Sequence, residues 1–329
     1  MTAMEALAFF RNEFVPLAEA KVSIVTHALN YGTGCFEGIR GNWNAEEQQL
    51  YLFRVREHYE RLARSCRVMK LELPYGTDEL VTLTRELVAR NGFREDVYLR
   101  PIAYKGSEVI GVRLHDLEDH FSLFCVPFGA YHEVEKGVRC CTVSWRKVPD
   151  LAIPTRAKVT GIYVNSALAR TEAHEHGFDE AIMLTQENMV CEGSGENIFA
   201  IIRGELVTPD PSQDILVGIT RDSVMRLARE ELGLRVVERP MARNELYVAD
   251  EVFMTGTAAH VTPVLEIDYR PIGNGDVGPI TQRLKDLYFD AIYGRNKKYI
   301  DWCTPVYAGE QPSPPPAVPV AARAGDPAS

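Results

Sequence analysis

The sequence predicts an α+β protein of two domains, and three observations carry that expectation. The chain has 329 residues, enough for two domains of ordinary size and for a sizeable core without covalent staples. Candidate strands and helices follow one another without the strict β-α-β alternation of a doubly wound sheet. The second half is richer in short apolar strands, and Pro127-Phe128-Gly129 supplies turn chemistry between the halves. We expect a small domain at 1–128, an interdomain loop at 129–137, a larger domain at 138–307 and a tail at 308–329.

The elements follow in chain order. Phe53 to Leu71 reads as a basic amphipathic helix, with Leu62, Cys66 and Met69 at helical spacing and five arginines between Arg54 and Arg67. Thr77 is the expected N-cap of a helix to Asn91, with Asp78 and Glu79 in its first turn. Val97–Tyr104 and Phe121–Phe128 read as strands. So do Val138–Trp145, Glu180–Thr185, Met189–Glu192, Asn197–Ile202 and Glu251–Thr255, each short, apolar and bounded by turn residues. Helices are expected at Ile162–His176, Arg221–Leu232 and Pro279–Tyr293. From Ala308 onward the chain is Pro, Ala, Gly and Ser with almost no large apolar residue, which predicts a disordered tail.

Composition narrows the function. The formal net charge is -10, which argues against an extended nucleic-acid or anionic-membrane surface. No apolar run approaches the roughly 20 residues of a membrane span, and no signal peptide is visible at the N-terminus. Seven cysteines, an odd number with no C-x-x-C pair, read as small buried residues of a reduced, cytoplasmic protein. No metal is expected: His174-Glu175-His176 is the densest ligand cluster, and i,i+2 side chains on a helix point apart.

Four segments carry candidate chemistry. In Glu192-Gly193-Ser194-Gly195-Glu196-Asn197, a carboxylate ends a strand and small residues allow a flat ligand to approach the backbone. Read alone it is also an ordinary hairpin turn; a dinucleotide fingerprint fails because the third glycine and the following helix are missing. Gly218-Ile219-Thr220-Arg221 opens a helix with Thr220 as the expected cap, a competent phosphate site or a plain capped helix. Thr255-Gly256-Thr257-Ala258 ends a strand in small hydroxyl residues. Lys158, among Ala157, Val159 and Gly161, is either solvated or desolvated enough for covalent carbonyl chemistry; composition leaves both open.

Together these segments resemble the class IV, or fold-type IV, aminotransferases, and the branched-chain enzymes among them. The resemblance runs through Thr26 to Arg40, Glu57 to Leu62, Ile153 to Tyr163, Glu192 to Phe199 with Gly218 to Thr220, and Asp250 to Ala259. It implies a small α/β domain, a larger β-rich pseudo-barrel domain and pyridoxal 5′-phosphate as cofactor. On the family pattern Lys158 would hold the cofactor and shuttle a proton between Cα and C4′. Glu192 would pair with the ring nitrogen and Tyr163 with O3′. Arg61, Ile219, Thr220 and Thr257 would hold the phosphate; only the pattern selects Arg61 from its neighbouring arginines. Tyr31, Phe36, Tyr98, Arg100, Gly111, Val112, Tyr131, Thr257 and Ala258 would line the substrate pocket.

The resemblance further implies ping-pong transfer of the amino group from Leu, Ile or Val to 2-oxoglutarate, with small amino acids and 2-oxo acids as partners. It implies a homodimer or larger homo-oligomer, because Tyr31 and the Ile110-Gly111-Val112 loop reach a neighbouring subunit's pocket in this family. A D-amino-acid aminotransferase, an (R)-amine transaminase and aminodeoxychorismate lyase are the near alternatives. A non-catalytic phosphate-ligand protein, with Pro314-Pro315-Pro316 recruiting partners, is the distant one.

Overall fold

A computed structural model describes residues 6–129 and 136–307. Tyr131 and the expected 308–329 tail lie outside the described residues. The chain begins with strands β1 (Leu7–Phe10) and β2 (Glu13–Pro16), helix α1 (His27–Tyr31), and strands β3 (Gly34–Phe36), β4 (Ile39–Asn44) and β5 (Gln49–Phe53). Helices α2 (Val55–Val68) and α3 (Thr77–Asn91) and strands β6 (Val97–Lys105) and β7 (Asp119–Pro127) follow. These strands form one largely antiparallel sheet. Its helices bury Val55, Tyr59, Leu62, Leu80 and Leu87 against Leu50, Leu52, Val97, Leu99 and Leu123. Each fully buried side chain of this kind is worth roughly 1.5–3 kcal/mol.

Period-two alternation in β6 presents the site. Val97, Leu99 and Ala103 enter the core, whereas Tyr98, Arg100 and Ile102 face the other way and are only half-buried. Pairing with β7 fixes this register from Val97 opposite Pro127 to Lys105 opposite Asp119.

The second sheet contains β8 (Val138–Arg146), β9 (Glu180–Leu184), β10 (Val190–Gly193), β11 (Asn197–Ile202), β12 (Glu205–Thr208), β13 (Val236–Glu238), β14 (Glu251–Gly256), β15 (His260–Ile267) and β16 (Arg270–Pro271). Its path is β10-β9-β8-β15-β14-β11-β12-β13, with β16 on β15. The 194–196 turn links β10, at one end of this path, to β11 near the other, and Gly193 N–H donates to Glu196 O at 2.7 Å. The sheet therefore curls toward the expected barrel-like form. Helix α4 (Tyr163–Glu175) buries Ala169 and Ala173 against Cys141, Val143, Ala181 and Met183. Helices α5 (Ile219–Leu232), α6 (Arg243–Tyr247) and α7 (Pro279–Ile292) complete this half, with α5 and α7 packed on Phe199, Phe253 and Val261.

Several boundaries differ from expectation for local reasons. Phe53 ends β5, and Arg54, in a left-handed conformation (φ 47°), turns the chain before α2 starts at Val55. Thr77 is the first helical residue of α3 and Gly76 the cap, because Gly76 N–H donates to Glu79 Oε2 at 2.7 Å. Helix α5 starts at Ile219 with Gly218 as cap, so Thr220 lies within its first turn. Strand β17 (Cys303–Pro305) leaves the second half altogether and pairs with β5 in the first sheet.

Candidate active site

The site lies between the two sheets. A narrow cavity is lined by Lys147, Lys158, Tyr163, Glu192, Asn197 and Leu216. A wider one of about 300 Å³ shares Lys158, Tyr163, Gly195 and Glu196 with it and continues to Phe36, Tyr98, Arg100, Thr257 and Ala258.

Lys158 stands in an extended segment just ahead of α4. That segment is docked on the first sheet: Phe36 N–H donates to Lys158 O (3.1 Å), and Lys158 N–H donates to Ser65 Oγ in α2 (3.1 Å). Gly161 N–H and the Thr160 hydroxyl both donate to Gly32 O, at 3.2 and 2.8 Å. This close approach requires glycine at 32, where φ is +64° and a Cβ would lie 2.7 Å from Gly161 Cα. The lysine amine is thereby aimed inward. Its Nζ donates to Tyr163 Oη at 2.5 Å and lies 5.0 Å from the Phe36 ring centroid.

Glu192 is buried on β10 and accepts three hydrogen bonds. Lys147 Nζ donates to Oε1 at 2.5 Å, and Asn197 Nδ2 and Leu216 N–H donate to Oε2 at 3.1 Å each. Burial pushes the Lys147 amine down, but the Glu192 carboxylate more than offsets it, and the ammonium form is held.

A candidate anion cradle starts at α5, whose Ile219 and Thr220 N–H groups have no acceptor within the helix, and whose Gly218 cap offers no side chain. The Thr220 hydroxyl lies 3.5 Å from Tyr288 Oη, which leaves the backbone as the open part of this cradle. Arg61 approaches from α2. Its NH1 donates to Val217 O at 3.0 Å, while Nε and NH2 grip both oxygens of fully buried Glu37 at 2.7 and 2.8 Å. Burial pushes Glu37 up, yet Arg61 and then His58 overcome it, and the carboxyl is held well below its usual range. Burial keeps His58 below its own ordinary value, against the pull of Glu37.

On the substrate side, Arg100 NH2 donates to Tyr98 Oη at 2.8 Å, and its guanidinium stacks 4.4 Å from the Phe36 ring centroid. Gly38 makes room for this pair, since a Cβ there would lie 2.2 Å from Tyr98 Oη. Tyr31, Gly111 and Val112 do not line the cleft of their own chain. Tyr31 and Gly111 meet at α1, where Gly111 N–H donates to Tyr31 Oη (3.2 Å) and His27 Nε2–H donates to Gly111 O (2.9 Å), and Val112 follows them exposed.

The sequence profile of the amino-transferase class IV family matches residues 34–267. The chain belongs to the class IV aminotransferases. Among its relatives is a probable branched-chain-amino-acid aminotransferase of Aquifex aeolicus, 52% identical over 91% of this chain and 96% of the relative. A branched-chain-amino-acid aminotransferase of Pseudomonas aeruginosa is 40% identical over 92% and 98%. Among solved structures, the branched-chain aminotransferase of Thermoproteus uzoniensis with norvaline superposes with a TM-score of 0.88 at 46% identity, covering 92% of this chain and 99% of that one. The branched-chain amino acid aminotransferase of Thermobaculum terrenum in its PLP form also gives 0.88, at 37% identity, covering 93% of this chain and 100% of that one.

A class IV aminotransferase works with pyridoxal 5′-phosphate, and the cleft of this one fits that group. A lysine and a matched carboxylate line one narrow cavity, and a helix N-terminus with free N–H groups and a fixed guanidinium flanks it. Sequence reasoning did not single out Glu37, His58, Lys147 or Asn197. Glu37 was detectable as the one charged residue between Cys35-Phe36 and Gly38-Ile39; nothing in the sequence distinguishes Lys147 from Arg146.

Proposed function

We propose that this aminotransferase moves the amino group of leucine, isoleucine or valine to 2-oxoglutarate, in two half-reactions. The carrying observation is the wall formed by Phe36, Tyr98 and Arg100. It sets an apolar ring and a cation side by side, which suits a pocket that must take an aliphatic chain in one half-reaction and a carboxylate in the other. Phe36 packs the branched side chain. Arg100, oriented by Tyr98, takes the distal carboxylate of glutamate, and Tyr98 with the Thr257-Ala258 backbone takes the α-carboxylate.

When bound, the cofactor supplies a carbon that receives the amino group and a ring that draws electrons from the Cα–H bond. The protein does the rest. Lys158 Nζ would hold the cofactor and carry the proton between Cα and C4′. Tyr163 Oη, 2.5 Å from that amine, orients it and would bond O3′. Glu192 would hold the proton on the ring nitrogen. Arg61, the Ile219 and Thr220 N–H groups and Thr257 take the phosphate.

We further infer that two copies assemble, and that Tyr31, Gly111 and Val112 complete the partner's pocket. Tyr31 and Gly111 are paired at α1, all three are absent from their own cleft, and Ile110 and Val112 are 73% and 89% exposed. An apolar cavity of about 370 Å³ lined by Val22, Leu29 and Phe124 adjoins the same region, which supports a covered face there. The two sheets also support domains at 1–128 and 138–307, linked by 129–137, with β17 crossing back. Seven buried cysteines without disulfides support a cytoplasmic site of action.

The test is a spectral titration of purified enzyme. L-leucine bleaches the yellow absorbance of the lysine-linked form and 2-oxoglutarate restores it; D-alanine and an (R)-arylamine leave it unchanged. Lys158→Ala abolishes turnover and the covalent cofactor linkage. Full activity in that variant, or a response to D-alanine alone, would overturn the proposal.

A further inference from the structure

The narrow cavity contains a second amine that the family pattern did not bring forward. Lys147 follows β8, its side chain is as buried as that of Glu192, and its Nζ lies 2.5 Å from Glu192 Oε1. The strand end itself is fixed, because Lys147 N–H donates to Leu184 O at 2.9 Å and Gln186 Nε2 donates to Lys147 O at 3.1 Å. We propose that Lys147 is a positioning residue for the transamination: it pins the Glu192 carboxylate against the ring nitrogen and supplies the counter-charge that lets that carboxylate exist inside the protein. The inference deepens the functional reading above and rests on its assignment of Glu192.

The argument is one of charge and geometry. A carboxylate taken out of water needs a counter-charge and filled lone pairs. Asn197 and Leu216 N–H are neutral donors and both serve Oε2. Lys147 alone among the three brings positive charge, and it alone serves Oε1. The other ionisable groups around the pair are Arg61, Lys158, Tyr163, Cys191, Glu196 and Asp214, of which Lys158 Nζ is engaged by Tyr163 and Arg61 by Glu37. No other cation among them is free to replace Lys147. Nor is Lys147 a spare attachment point, since its amine is committed to the acid that faces the ring nitrogen, and the aldehyde carbon stands at the opposite end of a pyridine ring.

Three fixed donors also set direction. With Oε1 held by the Lys147 amine just after β8, and Oε2 held by the Asn197 side chain and the Leu216 N–H, the carboxylate is fixed in the orientation that would face a bound ring nitrogen. Without Lys147 one oxygen swings freely, and the proton on the ring nitrogen is held less well. Binding of leucine, which involves Phe36, Tyr98 and Arg100 across the wider cavity, is untouched.

The experiment compares Lys147→Met, Lys147→Arg and Glu192→Gln with the parent holoenzyme. It reads the pyridoxal phosphate Kd, the absorbance of bound cofactor, and kcat and KM for L-leucine. Loss of one hydrogen bond to a charged group corresponds to about ten- to a hundredfold in an equilibrium or rate. Lys147→Met should weaken cofactor binding and lower kcat by that order, shift the absorbance, and leave KM for leucine near the parent value. Lys147→Arg, which keeps charge and donors, should recover most of each. Should Lys147→Met not fold, Lys147→Gln keeps a donor without the charge and is read in the same way. A parent-like Kd, absorbance and kcat in the uncharged variant would overturn the inference about Lys147. If Glu192→Gln is parent-like as well, the assignment of Glu192 itself has failed; if it alone is impaired, only the role of Lys147 has.

Discussion

Glu37→Gln is the sharpest test of how Arg61, the arginine proposed to take the phosphate, is held. In the parent, Glu37 Oε1 and Oε2 accept from Arg61 Nε and NH2 at 2.7 and 2.8 Å, and His58 Nδ1–H donates to Oε2 at 2.7 Å. Glutamine is nearly isosteric but presents an NH₂ where two donors converge, and it leaves the buried guanidinium without a counter-charge. Removing one partner of a buried pair costs about 3–5 kcal/mol. At about 2 °C per kcal/mol for a chain of this size, the apo-protein Tm should fall by roughly 6–10 °C. On the proposed site the cofactor phosphate would bring negative charge to the same guanidinium, so the holoenzyme should lose less, and the gap between apo and holo Tm should widen. The pH dependence follows from the depressed carboxyl. Its folded form sits below the ordinary value of 4.5, so the parent's advantage is full above that pH and is lost progressively as pH falls below it. His58, also depressed, adds acid sensitivity below its ordinary 6.5, because the unfolded chain then takes up a proton that the folded site resists. Differential scanning calorimetry from pH 2 to 8 reads all of this. An apo Tm within a degree of the parent at pH 7 would show that Glu37 does not hold Arg61.

Gly38→Ala should act on substrate and not on cofactor. The new Cβ would lie 2.2 Å from Tyr98 Oη, so the tyrosine must move and release Arg100; KM for 2-oxoglutarate should rise by about tenfold or more, as for a lost hydrogen bond to a charged group. An unchanged KM with intact cofactor binding would remove Tyr98 and Arg100 from the substrate site. Ile110→Asp combined with Val112→Asp places charges on an exposed apolar loop. Sedimentation should show dissociation to single chains, with KM for leucine raised and the cofactor Kd unmoved; parent-like sedimentation and KM would place the subunit contact elsewhere.

The helices were legible wherever one face alone is apolar. In α2, Leu62 and Cys66 recur at helical spacing and do enter the core, as expected. In the second half β8, β9, β10, β11 and β14 were legible as short apolar runs, whereas β15, which opens on His260 and carries Thr262 and Pro263, was not. In the first sheet β6 and β7 were legible in the same way, but β4 was not: it carries Gly41, Asn42 and Asn44, residues with poor strand propensity that pairing and burial override. Cap positions were misplaced at Thr77 and Thr220 for a common reason. A backbone glycine in extended conformation begins each helix there, and a nearby hydroxyl residue looks like the better cap on propensity alone. Of the site, the groups proposed to face the cofactor were readable because they fall in contiguous motifs. Those that hold them, Glu37 behind Arg61 and Lys147 behind Glu192, converge from distant segments. Pairing of that kind is set by the tertiary fold and leaves no local pattern.

The return of β17 to the first sheet has a consequence for how the protein is made. Until residues 303–305 have left the ribosome, β5 offers an open edge of unpaired amides and carbonyls. The helix that carries Arg61 follows that edge by one turn residue. The N-terminal half is synthesised first but is finished last, and a nascent chain stalled anywhere before its final strand is a candidate for chaperones or for edge-to-edge association with its neighbours.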